Sequence, residues 1–301
     1  MRNAILYLVT VLVWGSTWLA IEFQLGDVPV TISVVYRFAI AGMIMWAYCC
    51  LARVPMHFTL RQHGYIILLA CGNFSLNYVV IYWAQLHINS ALTSVAFSTM
   101  LLMNIINTRL FFGTPIAPRV YIGAVVGISG IVALFWQGLS SSHSGDNIPL
   151  GLALVLISGV IASLGNMVSV RNSRDGMNVF SVNAWGMLYG TLILYVIAKL
   201  AGDPFVFSDK PAYLYSLLYL AVFGTVVAFA TYFLLLRDIG PEKASYVIVL
   251  FPVVALTLSS LFEEFVWSTN ILLGFALVLA GNAIVLTPGA KLSAAVARFR
   301  A

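Results

Sequence analysis

Charge is scarce in this chain. Of its 301 residues only 8% are Asp, Glu, Lys or Arg, against 61% hydrophobic. A water-soluble fold of this size carries roughly three times that charged share, so the composition excludes a soluble domain and makes lipid the solvent. Cysteine is scarce too. Cys49, Cys50 and Cys71 lie in apolar runs without Cys-x-x-Cys spacing, which offers neither a disulfide framework nor a zinc site. His57, His63, His87 and His143 fall in or beside connectors with no His-Glu-x-x-His arrangement, and there is no Gly-x-x-x-x-Gly-Lys-Ser/Thr run. We therefore expect no catalytic residues, no metal, no cofactor and no built-in ATP motor, and the same absences argue against a membrane-embedded enzyme. The fifteen Lys and Arg give a formal charge of +5, but they are spread over short connectors. With no contiguous basic stripe, nucleic acid is not expected as a partner.

Apolar runs dominate what is present. Cut at polar or Pro/Gly-rich punctuation, they fall at about 3–23, 31–52, 63–83, 90–112, 119–137, 149–171, 178–200, 211–236, 242–263 and 269–287. The first run has the place of a signal peptide, but it is long, contains Trp14 and Trp18 and lacks a small-x-small cleavage site, so it reads as a span. Nine of the ten prolines stand at or near run ends, where a missing N–H costs little; Pro252 alone is mid-span. With the N-terminus cytoplasmic, twelve of the fifteen cations fall on inside segments, Lys199 and Lys210 outside, and Arg37 within a span. This asymmetry predicts an all-α integral membrane protein with ten transmembrane helices and both termini cytoplasmic. The basic stretch 290–301 is expected to lie on the cytoplasmic membrane surface.

Shifting the chain by about 150 residues pairs Tyr82-Trp83 with Tyr232-Phe233, and Gly123 and Gly130 with Gly274 and Gly281. Five spans per unit is an odd number, so a duplicated unit enters the membrane with reversed polarity. The expected organisation is two inverted five-helix repeats, 1–140 and 147–289, and the alternative is chance likeness between apolar helices. Gly123, Gly127 and Gly130, and Gly186 with Gly190, let backbones approach closely. Packing inside a monomer accounts for them; a weak homodimer is the other reading.

The run Trp14-Gly15-Ser16-Thr17-Trp18-Leu19-Ala20-Ile21, then Tyr36-Arg37-Phe38, then Asn77-Tyr78 and Tyr82-Trp83, resembles the EamA branch of the drug/metabolite transporter superfamily. The resemblance covers nearly the whole chain. It implies ten helices in two inverted repeats, a cavity open to one side at a time, and export of amino acids or related metabolites across a bacterial inner membrane. Exporters of drugs or nucleobase-like solutes are the alternative cargo class, and a non-transporting membrane subunit is a third. Departures from the family pattern are Glu22 where a Lys is common, Phe111-Phe112-Gly113 where a Glu often ends span 4, and Met100 where a Pro often sits. Glu263 and Glu264 keep acids at the matching place in the second half.

An ionisable group inside hydrocarbon must face a partner or a wet cavity. Arg37, about two turns into span 2, either fixes a substrate carboxylate or pairs with Glu22, and depth favours the pair because cargo sites lie near the midplane. Trp14 and Trp18 share a face of span 1, with Ser16 and Thr17 beside them. Trp83, Trp136 and Trp267 read as interfacial belt. Asn73 and Asn77, Tyr78 and Tyr82, and Ser158, Ala162 and Asn166 recur at four-residue spacing; such polar stripes point inward, as cavity wall or as helix–helix contacts. With Tyr232 and Tyr246 from the second half they make amide and aromatic walls suited to a small zwitterion or aromatic solute. Asn104, Asn107 and Thr108 fall nearer the cytoplasmic end of span 4. Gly15, Gly224 and Pro252 are candidate bending points.

Overall fold

The computed structural model describes residues 2–140, 147–244, 246–263 and 267–287. Glu264, His143 and the tail 290–301 lie outside them. The described chain is helical and forms ten apolar passages. Five in the first half are α1 (Arg2–Glu22), α2 (Val30–Leu51), α3 with α4 (Leu60–Asn73, Leu76–Gln85), α5 with α6 (Ser90–Phe97, Met100–Phe112) and α7 (Pro118–Ser140). The other five are α8 (Ile148–Arg174), α9 (Val179–Ala201), α10 (Pro211–Ala221) running through a π-helical segment (Val222–Val227) into α11 (Ala228–Ala244), α12 (Tyr246–Phe262) and α13 (Thr269–Leu286). Among the described residues nine passages are long and apolar enough to cross a membrane, and α12 is a shorter apolar helix.

Local chemistry sets the boundaries. Thr59 and Gln62 form a reciprocal capping box at the start of α3, and Asn89, Asn147, Asn178 and Ser268 cap α5, α8, α9 and α13. Pro118 and Pro211 open their helices, where no intrahelical N–H is needed. Two departures from the expected spans stand out. Spans 3 and 4 are broken rather than continuous. At the first break Ser75 Oγ donates to the carbonyls of Ala70 (2.9 Å) and Cys71 (3.2 Å); at the second Ser98 donates to Val95 O and Thr99 to Ala96 O, both at 2.7 Å. Hydroxyls thus add to the backbone bonds around each break, since the carbonyls of Ala70, Val95 and Ala96 also accept backbone N–H groups. Span 8, expected to stop at 236, continues to Ala244, with Pro241 inside its last turn.

Glycines set the tightest helix contacts. A Cβ on Gly123 would stand 2.6 Å from Gly281 O, and one on Gly130 2.7 Å from Gly274 O, so α7 and α13 touch backbone to backbone. Gly186 and Gly190 make room for Phe74 at the first break. All these glycines therefore serve contacts within the chain. Trp83, Trp136 and Trp267 are exposed.

Candidate functional site

A cavity of about 670 Å³ lies between the two halves of the chain. Helices α1, α2, α3, α4, α6 and α8 contribute to its wall, with residues from α9 and α11–α13. It reaches the surface at the connector after α6, where the exposed Thr114 and Pro115 line it together with Arg119. At its far end the lining residues Ile21, Ile81 and Arg37 are 3%, 3% and 1% exposed, so the cavity is blind there. Beyond that end, Gln24 donates to Tyr213 O (2.9 Å) and Ser216 Oγ (2.6 Å), and Gln85 donates to Trp18 O (3.1 Å), tying the end of α1 to α10 and α4.

Arg37 is the charged group at the blind end. Its Nε donates to Thr225 Oγ1 (3.3 Å), its Nη1 donates to Tyr82 Oη (3.3 Å), and its guanidinium carbon lies 4.6 Å from the Tyr78 ring centroid. Thr225 belongs to the π-helical segment, where its hydroxyl also donates to Leu220 O. Gly224 beside it leaves no room for a side chain: a Cβ would meet Thr17 Cγ2 at 2.7 Å and Arg37 Nη2 at 3.6 Å. The ion pair with Glu22 that depth favoured is absent. Among the described residues Arg37 pairs with no carboxylate. Among the described residues Glu22 Oε2 has no hydrogen-bond partner, while Glu263 accepts from Ser90 (2.7 Å) and from Ser259. Equal depth along two helices does not bring side chains to the same face.

The predicted site residues divide clearly. Trp14, Trp18, Arg37, Asn73, Asn77, Tyr78, Asn166 and Tyr232 line the cavity. Ser16, Tyr82 and Tyr246 do not. Ser16 donates to Leu12 O and bonds the Tyr219 hydroxyl on another side of α1. Tyr82 is fully buried behind Arg37, and the Tyr246 hydroxyl stands 3.4 Å from Thr287 Oγ1. Tyr82 therefore supports a wall residue without forming wall.

Three asparagines make a directional chain across helices. Asn73 Nδ2 donates to Asn166 Oδ1 (3.1 Å), and Asn166 Nδ2 donates to Asn104 Oδ1 (3.2 Å). Asn73 Oδ1, packed against Gly165, is left without a hydrogen-bond partner among the described residues. The chain sits where α3 and α8 approach most closely: a Cβ on Gly72 would lie 2.6 Å from Gly165 Cα. Asn77 is 7% exposed, and its side chain has no hydrogen bond among the described residues. Asn183 on α9 is 5% exposed, and its Nδ2 has no hydrogen-bond partner among the described residues. Sequence reasoning passed over Asn183 because it is a lone amide at the start of a helix, without a polar neighbour at four-residue spacing. The aromatic part of the wall comes from Trp18 stacked on Phe251 (centroids 5.7 Å, 22°) and Trp14 against Phe229 and Tyr232. The arrangement offers a cation at depth, amides midway and ring faces alongside, which suits binding a small solute.

Relatives agree with a membrane carrier. The chain is 27% identical over 257 residues to the uncharacterized inner membrane transporter YedA of Escherichia coli (strain K12), covering 83% of this chain and 79% of that protein. It is 24% identical over 274 residues to an uncharacterized transporter in the trpA 3' region of Buchnera aphidicola subsp. Schlechtendalia chinensis (89% and 86% covered). It is also 23% identical over 278 residues to the uncharacterized transporter YoaV of Bacillus subtilis (strain 168), covering 90% and 91%. A solved crystal structure at 18% identity superposes with a TM-score of 0.69 over 94% of this chain and 95% of that one, which shows a shared fold. The EamA-like transporter family matches residues 1–136 and again 149–287. With both segments matched and a multi-pass helical bundle around a one-sided cavity, the chain belongs to the EamA-like transporter family of the drug/metabolite transporter superfamily, as a membrane transporter and not an enzyme.

Proposed function

We propose that this transporter exports small carboxylate-bearing metabolites, amino acids including aromatic ones and their relatives, across the bacterial inner membrane by alternating access. The observation that carries the reading is Arg37, a buried guanidinium on the cavity wall whose described neighbours include no carboxylate. A cation in a low-dielectric site without a counter-ion is costly, and a bidentate substrate carboxylate offsets that cost. The ring faces of Trp14, Trp18 and Phe251 supply apolar area for an aromatic side chain. The rocking units are residues 1–140 and 147–289, inverted repeats with both termini cytoplasmic; family matches to each half support this division. On the positive-inside rule the mouth, flanked by Arg109 and Arg119, faces the cytoplasm, so the structure corresponds to a loading state for export.

The test is flux of radiolabelled amino acids in proteoliposomes. Saturable uptake, lost in Arg37→Gln and reduced at least about tenfold in Asn77→Ala and Tyr78→Ala, is expected. Undiminished flux in all three variants removes the site.

A further inference from the structure

The cavity's charge is one-sided. Among the described residues that line it there are two arginines, Arg37 at the blind end and Arg119 at the mouth, and no aspartate or glutamate. Amides are the strongest neutral polar groups on the wall: Asn73, Asn77, Asn104, Asn166 and Asn183 line it, and the side chain of Asn77 has no hydrogen bond among the described residues. A carboxylate entering this space meets a guanidinium with donors to spare. An ammonium meets amide oxygen, hydroxyls and ring faces. The Tyr78 face, one natural seat for a cation, is already occupied by Arg37 itself. Once the cavity closes and water leaves, an anion is neutralised while the positive end of a zwitterion stays without a charged partner. The field at the mouth acts in the same sense. Arg119, whose Nε donates to Val285 O at 3.2 Å, keeps its positive charge at the entrance, and Arg174 at the end of α8, over the Phe112 ring, adds to that side of the molecule, while Arg171 is paired with Asp175 at 2.8 Å.

Resting on the carboxylate reading above, we infer that the carried species is a net monoanion: an aryl or alkyl carboxylate whose remaining groups are neutral, such as a 2-oxo or 2-hydroxy acid, in preference to the matching amino acid. Amines and other organic cations are rejected. Transport then moves net negative charge across the membrane. Arg37 neutralises the carboxylate at depth, and Asn77 is positioned to hold the neutral polar substituent.

Three probes that share one phenyl ring separate the possibilities: phenylpyruvate, phenylalanine and phenethylamine, each presented to the purified full chain in proteoliposomes on a solid-supported membrane. The expected order is phenylpyruvate bound about tenfold or more tighter than phenylalanine, with phenethylamine inert. Phenylpyruvate should give a transient current of the sign of moving negative charge. Arg37→Lys keeps the cation but loses the bidentate fork, so it should weaken phenylpyruvate binding while preserving the preference order. Arg119→Gln, at the protein surface, should slow phenylpyruvate association and reduce its dependence on ionic strength. Equal or tighter binding of phenylalanine, an electroneutral signal with phenylpyruvate, or any phenethylamine current overturns the inference and leaves the carboxylate-carrier reading intact. Binding of neither carboxylate overturns both.

Discussion

A single added methyl group on α7 tests the packing of this bundle. Gly130→Ala places a Cβ 2.7 Å from Gly274 O and 2.7 Å from Val278 N, both backbone atoms that no rotamer change can move. An ordinary contact begins near 3.4 Å, so α7 and α13 must part by about 0.7 Å, and overpacking of this kind costs about 1–3 kcal/mol. Three residues away, a Cβ on Gly127 meets nothing within 4 Å. Gly127→Ala carries the same gain in helix propensity without the clash, so the difference between the two variants isolates the overpacking term. Thermal unfolding of detergent-purified protein, with urea titration as a second measure, should place Gly130→Ala below Gly127→Ala by that amount. Stabilities equal within about 0.5 kcal/mol would refute the close approach of α7 and α13.

Thr225→Val removes the acceptor for Arg37 Nε and the donor to Leu220 O together; a stability loss of about 1–3 kcal/mol and weakened carboxylate binding are expected, with Thr225→Ser restoring both in the same melting and flux assays. Asn166→Leu interrupts the amide chain in the middle, leaving Asn73 and Asn104 short of a partner; a melting curve should show about 1–3 kcal/mol lost, and cargo affinity should fall. Asp27, in the connector after α1, is held below the usual carboxylate range by its hydrogen bonds to Lys210 and then Ser208. Because its folded-state pKa is depressed, its stabilising effect is present above the unfolded pKa and is lost as pH falls through the lowered folded value. Asp27→Asn should therefore lower the melting temperature slightly at pH 7, and the gap to wild type should close in acid.

Hydropathy read the ten passages because lipid forces each one to be apolar along its whole length, a signal carried by every residue in the run. It did not register the breaks at Ser75 and at Ser98–Thr99, nor the π-helical segment, because these depend on where hydroxyls find carbonyls and not on polarity averaged over a window. The Asn73, Asn77 and Tyr78 stripe was visible as four-residue spacing and stands on the cavity wall. Tyr82 shares that spacing yet lies behind the wall, since periodicity gives a face but not how far a side chain stands from the cavity. Arg37 and Glu22 show the same limit from another direction: sequence gives height along a helix, while pairing also needs rotation about its axis. Asn183 had no local signature, and the packing of α9 against α2 and α3 brings it to the cavity.

Gly72 and Gly165 bring α3 and α8 into direct backbone contact beside the asparagine chain. The distance between the two helices is therefore fixed by main chain, independently of which side chains flank the contact. Exchange of Asn73 or Asn166 for another residue of similar size alters what the wall recognises while the scaffold keeps its spacing. Cargo preference can thus drift among members of this architecture one wall position at a time, without a new fold being needed for each solute.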